Sequence, residues 1–460
     1  MFNEIDITMN KFEIVVIGGG IAGLATAEIF SRSGFKVLLI EKNSKLCSET
    51  SGLHHEWFHF GSLYSIFLNN QFLRTMVRGI GDLLEYYQDF EGMNLSINES
   101  GKLLTANDEN GWFRNDKLQY VITTTSHPEF ALSNRIYLSE LFKKAAMRIS
   151  WNMLIKRFIA RHNYFYGYDW RKNCVNFHPP NFSFFDCSDE YVSDFSSDEI
   201  NLNPIFHKSM ESYDCPMNAY SIISDLTKSF LSNQGQILTD VMLKKHQKLS
   251  DKILVKLSNN QLVETKKLIL SSGTHLKNYT DRLKLRIVAS PLLIAHPAVC
   301  SVNFVRLTPF VSHTINHIKH NVNGVNYSLI GGGYFSSGSD EKSCQDAESS
   351  LLESAKSIFP SLINKAQLIK AYSGYKTEVS GSLKKRNYLY HIEEIEKDLF
   401  VILPAKFSLA FSLAVNAFSK ITGRLPEKKF NYDKSVCVSN YVALMKHKAI
   451  VKEFYETSQN

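Results

Sequence analysis

The chain of 460 residues has seven cysteines, and no two of them stand in CxxC spacing. That excludes a zinc ribbon or a redox dithiol, and no residue cluster has metal-ligand spacing. An odd set of scattered thiols suits a reducing compartment. No run of about 18 apolar residues lacks a charge, so no membrane-spanning helix is expected. The nearest run, residues 399–418, is interrupted by Pro404 and Lys406 and reads as strand, turn and helix. The opening MFNEIDITMN is polar and has no signal-peptide core, so cytoplasm is the expected location. Internal repeats and low-complexity segments are absent from the sequence. The charge excess is small, a net +7, with 44% hydrophobic and 21% charged residues. This is ordinary for a globular protein of roughly two to three domains. It favours anionic ligands without singling out nucleic acid.

What the chain does have is concentrated near its start. Residues 12–42 read FEIVVIGGGIAGLATAEIFSRSGFKVLLIEK. An apolar run, Ile14 to Ile17, leads into Gly18-Gly19-Gly20-Ile21-Ala22-Gly23; a helical segment follows, then a second apolar run that ends on Glu41. This predicts a strand, a glycine turn, a helix and a strand that cradle a dinucleotide. Gly18 permits the tight turn, Gly20 lets a pyrophosphate reach the backbone, and Gly23 packs the helix close to the sheet. Ile21 and Ala22 open the helix, whose free N–H groups favour phosphate. Glu41 is placed to accept the ribose hydroxyls and would repel a 2′-phosphate. Lys42 follows it.

Helical periodicity continues at 69–90, 140–159, 219–232 and 345–358, and apolar strands at 267–273 and 398–403. The segment 140–161 is strongly basic and suits a solvated face, a partner, an acidic polymer or the surface of a membrane. Residues 163–213 are polar and aromatic and read as an irregular insertion. Nucleotide-fold pieces thus recur at the start, middle and end, with β-rich pieces between, as in two interleaved domains.

Four blocks resemble the FAD-dependent oxidoreductases of the D-amino acid oxidase and glycine oxidase type. The first is the glycine motif with Glu41. The second, Ser51-Gly52 and His59-Phe60-Gly61-Ser62-Leu63-Tyr64, is similar to the L-2-hydroxyglutarate dehydrogenase branch. The third joins 235–241 to 268–273, and the fourth joins Tyr372–Lys376 to 399–418. The resemblance implies an α/β fold with a Rossmann-like FAD domain, a mostly parallel sheet with helices on both faces. Interleaved with it is an α+β substrate domain dominated by an antiparallel sheet. The expected pieces are 10–95, 214–280 and 366–440 for FAD, 96–213 and 281–365 for substrate, and a C-terminal helix at 441–460. FAD would touch Gly18, Gly20, Ile21, Ala22, Gly23, Glu41, Lys42, Ser51, Gly52, Val241, Gly273 and Lys406. The family's Gly-rich turn under the flavin is replaced here by Pro404-Ala405-Lys406, and its carboxylate-gripping Arg by Lys376.

The implied activity is removal of hydride from a C–H beside a hydroxyl or amine of a small substrate, anionic or neutral, with transfer to flavin N5. The electron acceptor that reoxidises the flavin is left open. His59 is the candidate base; its alternative is a hydrogen bond to the turn backbone. Lys406 would stabilise charge on reduced flavin and Lys376 would pair with a substrate carboxylate; solvated lysines are the alternatives. His54 or His55 offers a site for covalent flavin attachment, against the commoner noncovalent mode. Two other readings stay open: an FAD-binding protein without turnover, and an NAD-dependent dehydrogenase.

Overall fold

The apolar run ending β1 (Asn10–Ile17) does not alternate because this strand lies between two parallel neighbours and is covered on both faces. In the computed structural model the described residues are 10–66, 70–97, 103–116, 118–125, 185–186, 200, 204–212, 214–307, 314–333, 336–337, 341–380 and 387–458. The helix α1 (Ile21–Arg32) crosses from β1 to β2 (Val37–Ile40), and every one of its residues is buried. It packs against the helices Ala219–Ser232 and Ala410–Thr422, with Phe30 against Phe418 at 4.8 Å between ring centres.

The first sheet runs Gln236–Leu238, β2, β1, Leu262–Leu270, all parallel. Leu262–Leu270 then forks. Its first residues pair antiparallel with Ile253–Leu257, and its last pair parallel with Leu399–Leu403. The carboxyl ends of β1, β2, Leu262–Leu270 and Leu399–Leu403 therefore share one edge, where open α/β sheets bind ligands.

The second sheet is antiparallel except where Asn303–Leu307 runs parallel to Leu118–Thr125. Its longest pairing joins Leu285–His296 to Leu368–Val379 along their whole length. Leu368–Val379, expected among the FAD-binding pieces, is thus a strand of the other sheet. Its partner strand precedes it by some eighty residues, a pairing no local pattern reveals. Pro204–Ser212, expected to be irregular, is also a strand here, paired with Leu118–Thr125. The basic segment 140–161 and most of the expected insertion lie outside the described residues. The helix Lys446–Ser458 carries His447 and Val451 into the protein. Among the described residues no helix is long and apolar enough to cross a membrane.

Candidate active site

The shared strand edge opens into a cavity with roughly 1320 Å³ of empty space, part of it continuous with solvent. Each parallel strand delivers the residues that follow it: Gly18 and Gly20 after β1, Glu41 to Asn43 after β2, Ser271 to Gly273 after Leu262–Leu270, and Pro404 to Lys406 after Leu399–Leu403. The second sheet contributes Lys376 and Thr377 from Leu368–Val379. The loop 47–59 supplies Ser51, His54, His55, Trp57 and His59.

The glycines act in different ways. Gly18 has φ +104°, and a Cβ there would lie 2.6 Å from the Ser271 carbonyl oxygen. At Gly23 a Cβ would lie 1.9 Å from the Gly18 carbonyl oxygen. Both positions are closed by backbone. Gly20 differs: the nearest protein atom to a Cβ would be Ser51 Oγ at 3.4 Å, so its missing side chain leaves room for a ligand. Gly23→Ala is expected to push the turn off α1, with a loss of several kcal/mol and of retained flavin. Thermal unfolding, together with the absorbance of the purified protein near 450 nm, measures both.

Ser51 Oγ accepts the Ile21 N–H at 3.0 Å, which ties the loop to the start of α1. Gly52 and Gly23, expected to touch the cofactor, do not line the cavity; a Cβ on Gly52 would meet the Cys47 carbonyl oxygen at 2.5 Å, so close packing explains it. Glu41 accepts the Gly19 N–H at 2.7 Å and the Asn43 N–H at 2.9 Å. Burial raises its pKa, and each oxygen keeps a lone pair for a further donor. Val241 donates its N–H to the Glu41 carbonyl at 3.1 Å. Lys42 pairs with Glu49 and lies 2.7 Å from His275 Nε2.

At the other end stand three imidazoles and two lysines. Burial holds His54 at a pKa of about 3 and His59 at about 4, and it holds His55 well below the ordinary value. Lys376 and Lys406 add to the effect on His55 and His59, so these rings are neutral beside two ammonium groups. Lys406 Nζ sits 4.8 Å above the Tyr388 ring and 5.5 Å from that of Tyr64. His54 Nε2, His55 Nε2, Trp57 Nε1 and Ser272 Oγ are buried and make no hydrogen bond. Such atoms call for a polar ligand.

The turn before Lys406 is strained. Ala405 has φ +56°, and Lys406 N–H donates to the Pro404 carbonyl at 2.6 Å across it. The turn enters the left-handed region with a side chain present, at a place where the resemblance implies glycine. Ala405→Gly is expected to raise stability by roughly 0.5–1 kcal/mol, the relieved strain exceeding the entropy glycine adds to the unfolded chain. Urea unfolding reads this directly.

Two residues here were invisible in the sequence. Asp214, fully buried, lies 3.8 Å from His59 Nδ1. Glu56, beside the imidazoles in the chain, accepts the Ala219 N–H at 2.8 Å and faces Lys448 at 3.1 Å, His447 at 3.3 Å and His320 at 3.5 Å. Glu56, His320 and His447 bring ligand-type atoms within 4.8 Å of one another. Lys448 already neutralises the carboxylate, and Arg114 donates to His320 Nδ1 at 3.1 Å. A dication would sit between two cations, so the group is an ion-pair network.

A parallel dinucleotide-type sheet joined at its ligand edge to an antiparallel sheet defines a flavoprotein-like architecture. The FAD dependent oxidoreductase (DAO) family matches residues 13–167. Over 92% of this chain and 98% of theirs, the coordinates resemble L-alpha-glycerophosphate oxidase of Mycoplasma pneumoniae with FAD bound, at a TM-score of 0.62 and 17% identity. Glycine oxidase of Geobacillus kaustophilus aligns over 94% and 98%, at 0.59 and 12% identity. L-amino acid deaminase of Proteus myxofaciens aligns over 93% and 94%, at 0.60 and 13%. A stretch of 74 residues is 31% identical to phytoene desaturase of Fusarium fujikuroi, covering 16% of this chain and only 13% of that curated relative. The match over residues 13–167 and the fold of the whole chain are those of FAD-dependent oxidoreductases of the DAO type. The room beside Gly20, the start of α1 and the orphaned polar atoms fit FAD. The NAD-dependent reading is set aside.

Proposed function

We propose that the protein oxidises a C–H bond next to an amine or hydroxyl of a small substrate that carries an anionic group. The observation that carries this reading is one continuous cavity. It runs from the Gly18–Gly20 turn to a cluster of neutral imidazoles flanked by Lys376 and Lys406. Bound FAD supplies the two-electron acceptor. Gly18, Gly20, Ile21, Ala22, Glu41, Lys42, Val241, Gly273 and Lys406 would hold it, with Ser51 bracing the start of α1. Lys376 and Lys406 attract the anionic group as point charges rather than as bidentate forks. His59 accepts the proton of the substrate's N–H or O–H. Trp57, tilted against His59 at 4.0 Å between ring centres, and Phe407, against His54 at 4.7 Å, narrow water access. The likeness of Ser51-Gly52 and His59 to the L-2-hydroxyglutarate branch belongs to this proposal, as does the division into an FAD-binding and a substrate domain.

The test is anaerobic mixing of the yellow protein with a panel of small amines, amino acids, 2-hydroxy acids and glycerol phosphates. Bleaching near 450 nm by at least one of them is expected. No bleaching by any, with FAD bound, would leave a flavin carrier without turnover. A colourless protein that does not take up FAD would overturn the reading altogether.

A further inference from the structure

We propose that Asp214 is the positioning residue of His59, holding its imidazole with the proton on Nδ1 so that Nε2 presents a lone pair to the cavity. The inference rests on the proposed function for its purpose but on geometry for its content.

Asp214 is a built acceptor. Its Oδ1 receives the N–H groups of Phe60 at 2.7 Å, Gly61 at 3.2 Å and Ser62 at 3.4 Å. These three can converge because Gly61 turns at φ +132°. Its Oδ2 accepts the Tyr120 hydroxyl at 2.7 Å, and its own N–H donates to Ser212 Oγ at 2.9 Å. Strand Leu118–Thr125 and the segment after Pro204–Ser212 thus fix a carboxylate behind the loop that carries His59. Facing Oδ2 is His59 Nδ1 at 3.8 Å, sealed from solvent and without a hydrogen bond. A shift of about 1 Å closes that gap to bond length, as catalytic hydrogen bonds commonly tighten on ligand binding. The ring lines the cavity, so the other nitrogen, Nε2, is left to the ligand side. A carboxylate that takes Nδ1–H both selects the tautomer and stabilises the imidazolium that forms. In the proton step the substrate N–H or O–H bond breaks and the Nε2–H bond forms. The electron pair stays on the substrate atom and becomes the second bond to carbon as hydride leaves for FAD.

The other groups around His59 are the His55 ring at 6.2 Å, the Tyr64 ring at 5.5 Å, the Trp57 ring, and the ammonium groups of Lys376 and Lys406. Both lysines oppose protonation of His59, and Asp214 alone favours it. Two variants should therefore move His59 in opposite directions. Asp214→Asn removes the favouring charge, and Tyr120→Phe removes a hydrogen bond that weakens it. The experiment is 15N-histidine NMR of the FAD-loaded protein across pH, with His59→Gln to identify the resonance. Expected in the unmodified protein is a neutral ring protonated at Nδ1. Asp214→Asn should lower the His59 pKa by about one unit or more and shift the tautomer, whereas Tyr120→Phe should raise it. If Asp214→Asn does not fold, Tyr120→Phe alone decides. An Nε2-protonated ring in the unmodified protein, or titration unchanged by the variants that fold, overturns the proposal. Because no substrate is needed, an oriented His59 in a protein that bleaches with nothing would sink the proposed activity and leave the dyad standing.

Discussion

Glu56→Gln should destabilise the protein by about 3–5 kcal/mol, the usual consequence of removing one partner from a buried ion pair. Glu56 is fully buried, and its pKa lies well below the ordinary carboxylate value. Burial alone would raise it; Lys448, His447 and His320 together outweigh that. The residue also joins four parts of the fold: its own loop, held at φ +52°; the first N–H of the helix Ala219–Ser232; the second sheet through His320; and the last helix through His447 and Lys448. Glutamine keeps the shape and the bond to Ala219 but leaves the Lys448 ammonium, only 15% exposed, without its counter-charge. The double variant Glu56→Gln with Lys448→Met should regain much of the loss, since no charge is then stranded. Urea unfolding of both single variants and the double variant gives the coupling energy. Simple additivity would show that the pair does not act as a unit. Because Glu56 follows His54 and His55, the single variant should also hold FAD less tightly.

Lowering the pH from 7 to 5 should cost the protein a large part of its stability. Six imidazoles are held below their ordinary pKa chiefly by burial: His54, His55, His59, His246, His320 and His447. In each case the unfolded chain takes up the proton first. Stability is therefore full above about pH 6.5 and falls as pH descends toward the folded values, about 3 for His54 and about 4 for His59. Each pH unit in that window costs about 1.4 kcal/mol per fully shifted group. Glu56 adds a further loss below its ordinary value near 4.5. Glu28, Glu41 and Asp225 work in the opposite sense, since burial raises them and protonation relieves them. Being three against six, they soften the decline without reversing it. Urea midpoints at pH 7, 6 and 5 check this; a flat profile would mean the imidazoles are hydrated in solution.

How much of this was legible in the sequence depends on the range of the interactions. The first strand, turn and helix could be read because Gly23 packs on Gly18 and Glu41 on Gly19, neighbours within one unit of chain. Lys376 and Lys406 could be placed near the cofactor by resemblance, and both line the cavity. Gly52 packs against Cys47 and does not line the cavity; in sequence, a glycine kept for close packing looks the same as one kept for a ligand. Leu368–Val379 could not be assigned to its sheet, because its register is set by Leu285–His296 and not by its own pattern. Asp214 and Glu56 left no signal at all. A single carboxylate acquires its role only when Tyr120, His59, His447 and Lys448 arrive from distant positions.

The fork in Leu262–Leu270 carries a consequence for synthesis on the ribosome. Until that strand emerges, β1 and β2 lack their central partner, and until Leu399–Leu403 emerges the binding edge lacks the turn bearing Lys406. A nascent polypeptide therefore displays an apolar, unpaired β-edge for most of translation, a template for aggregation that sheathing by a chaperone would suppress. The coenzyme can lock the structure only once nearly the whole polypeptide has been made.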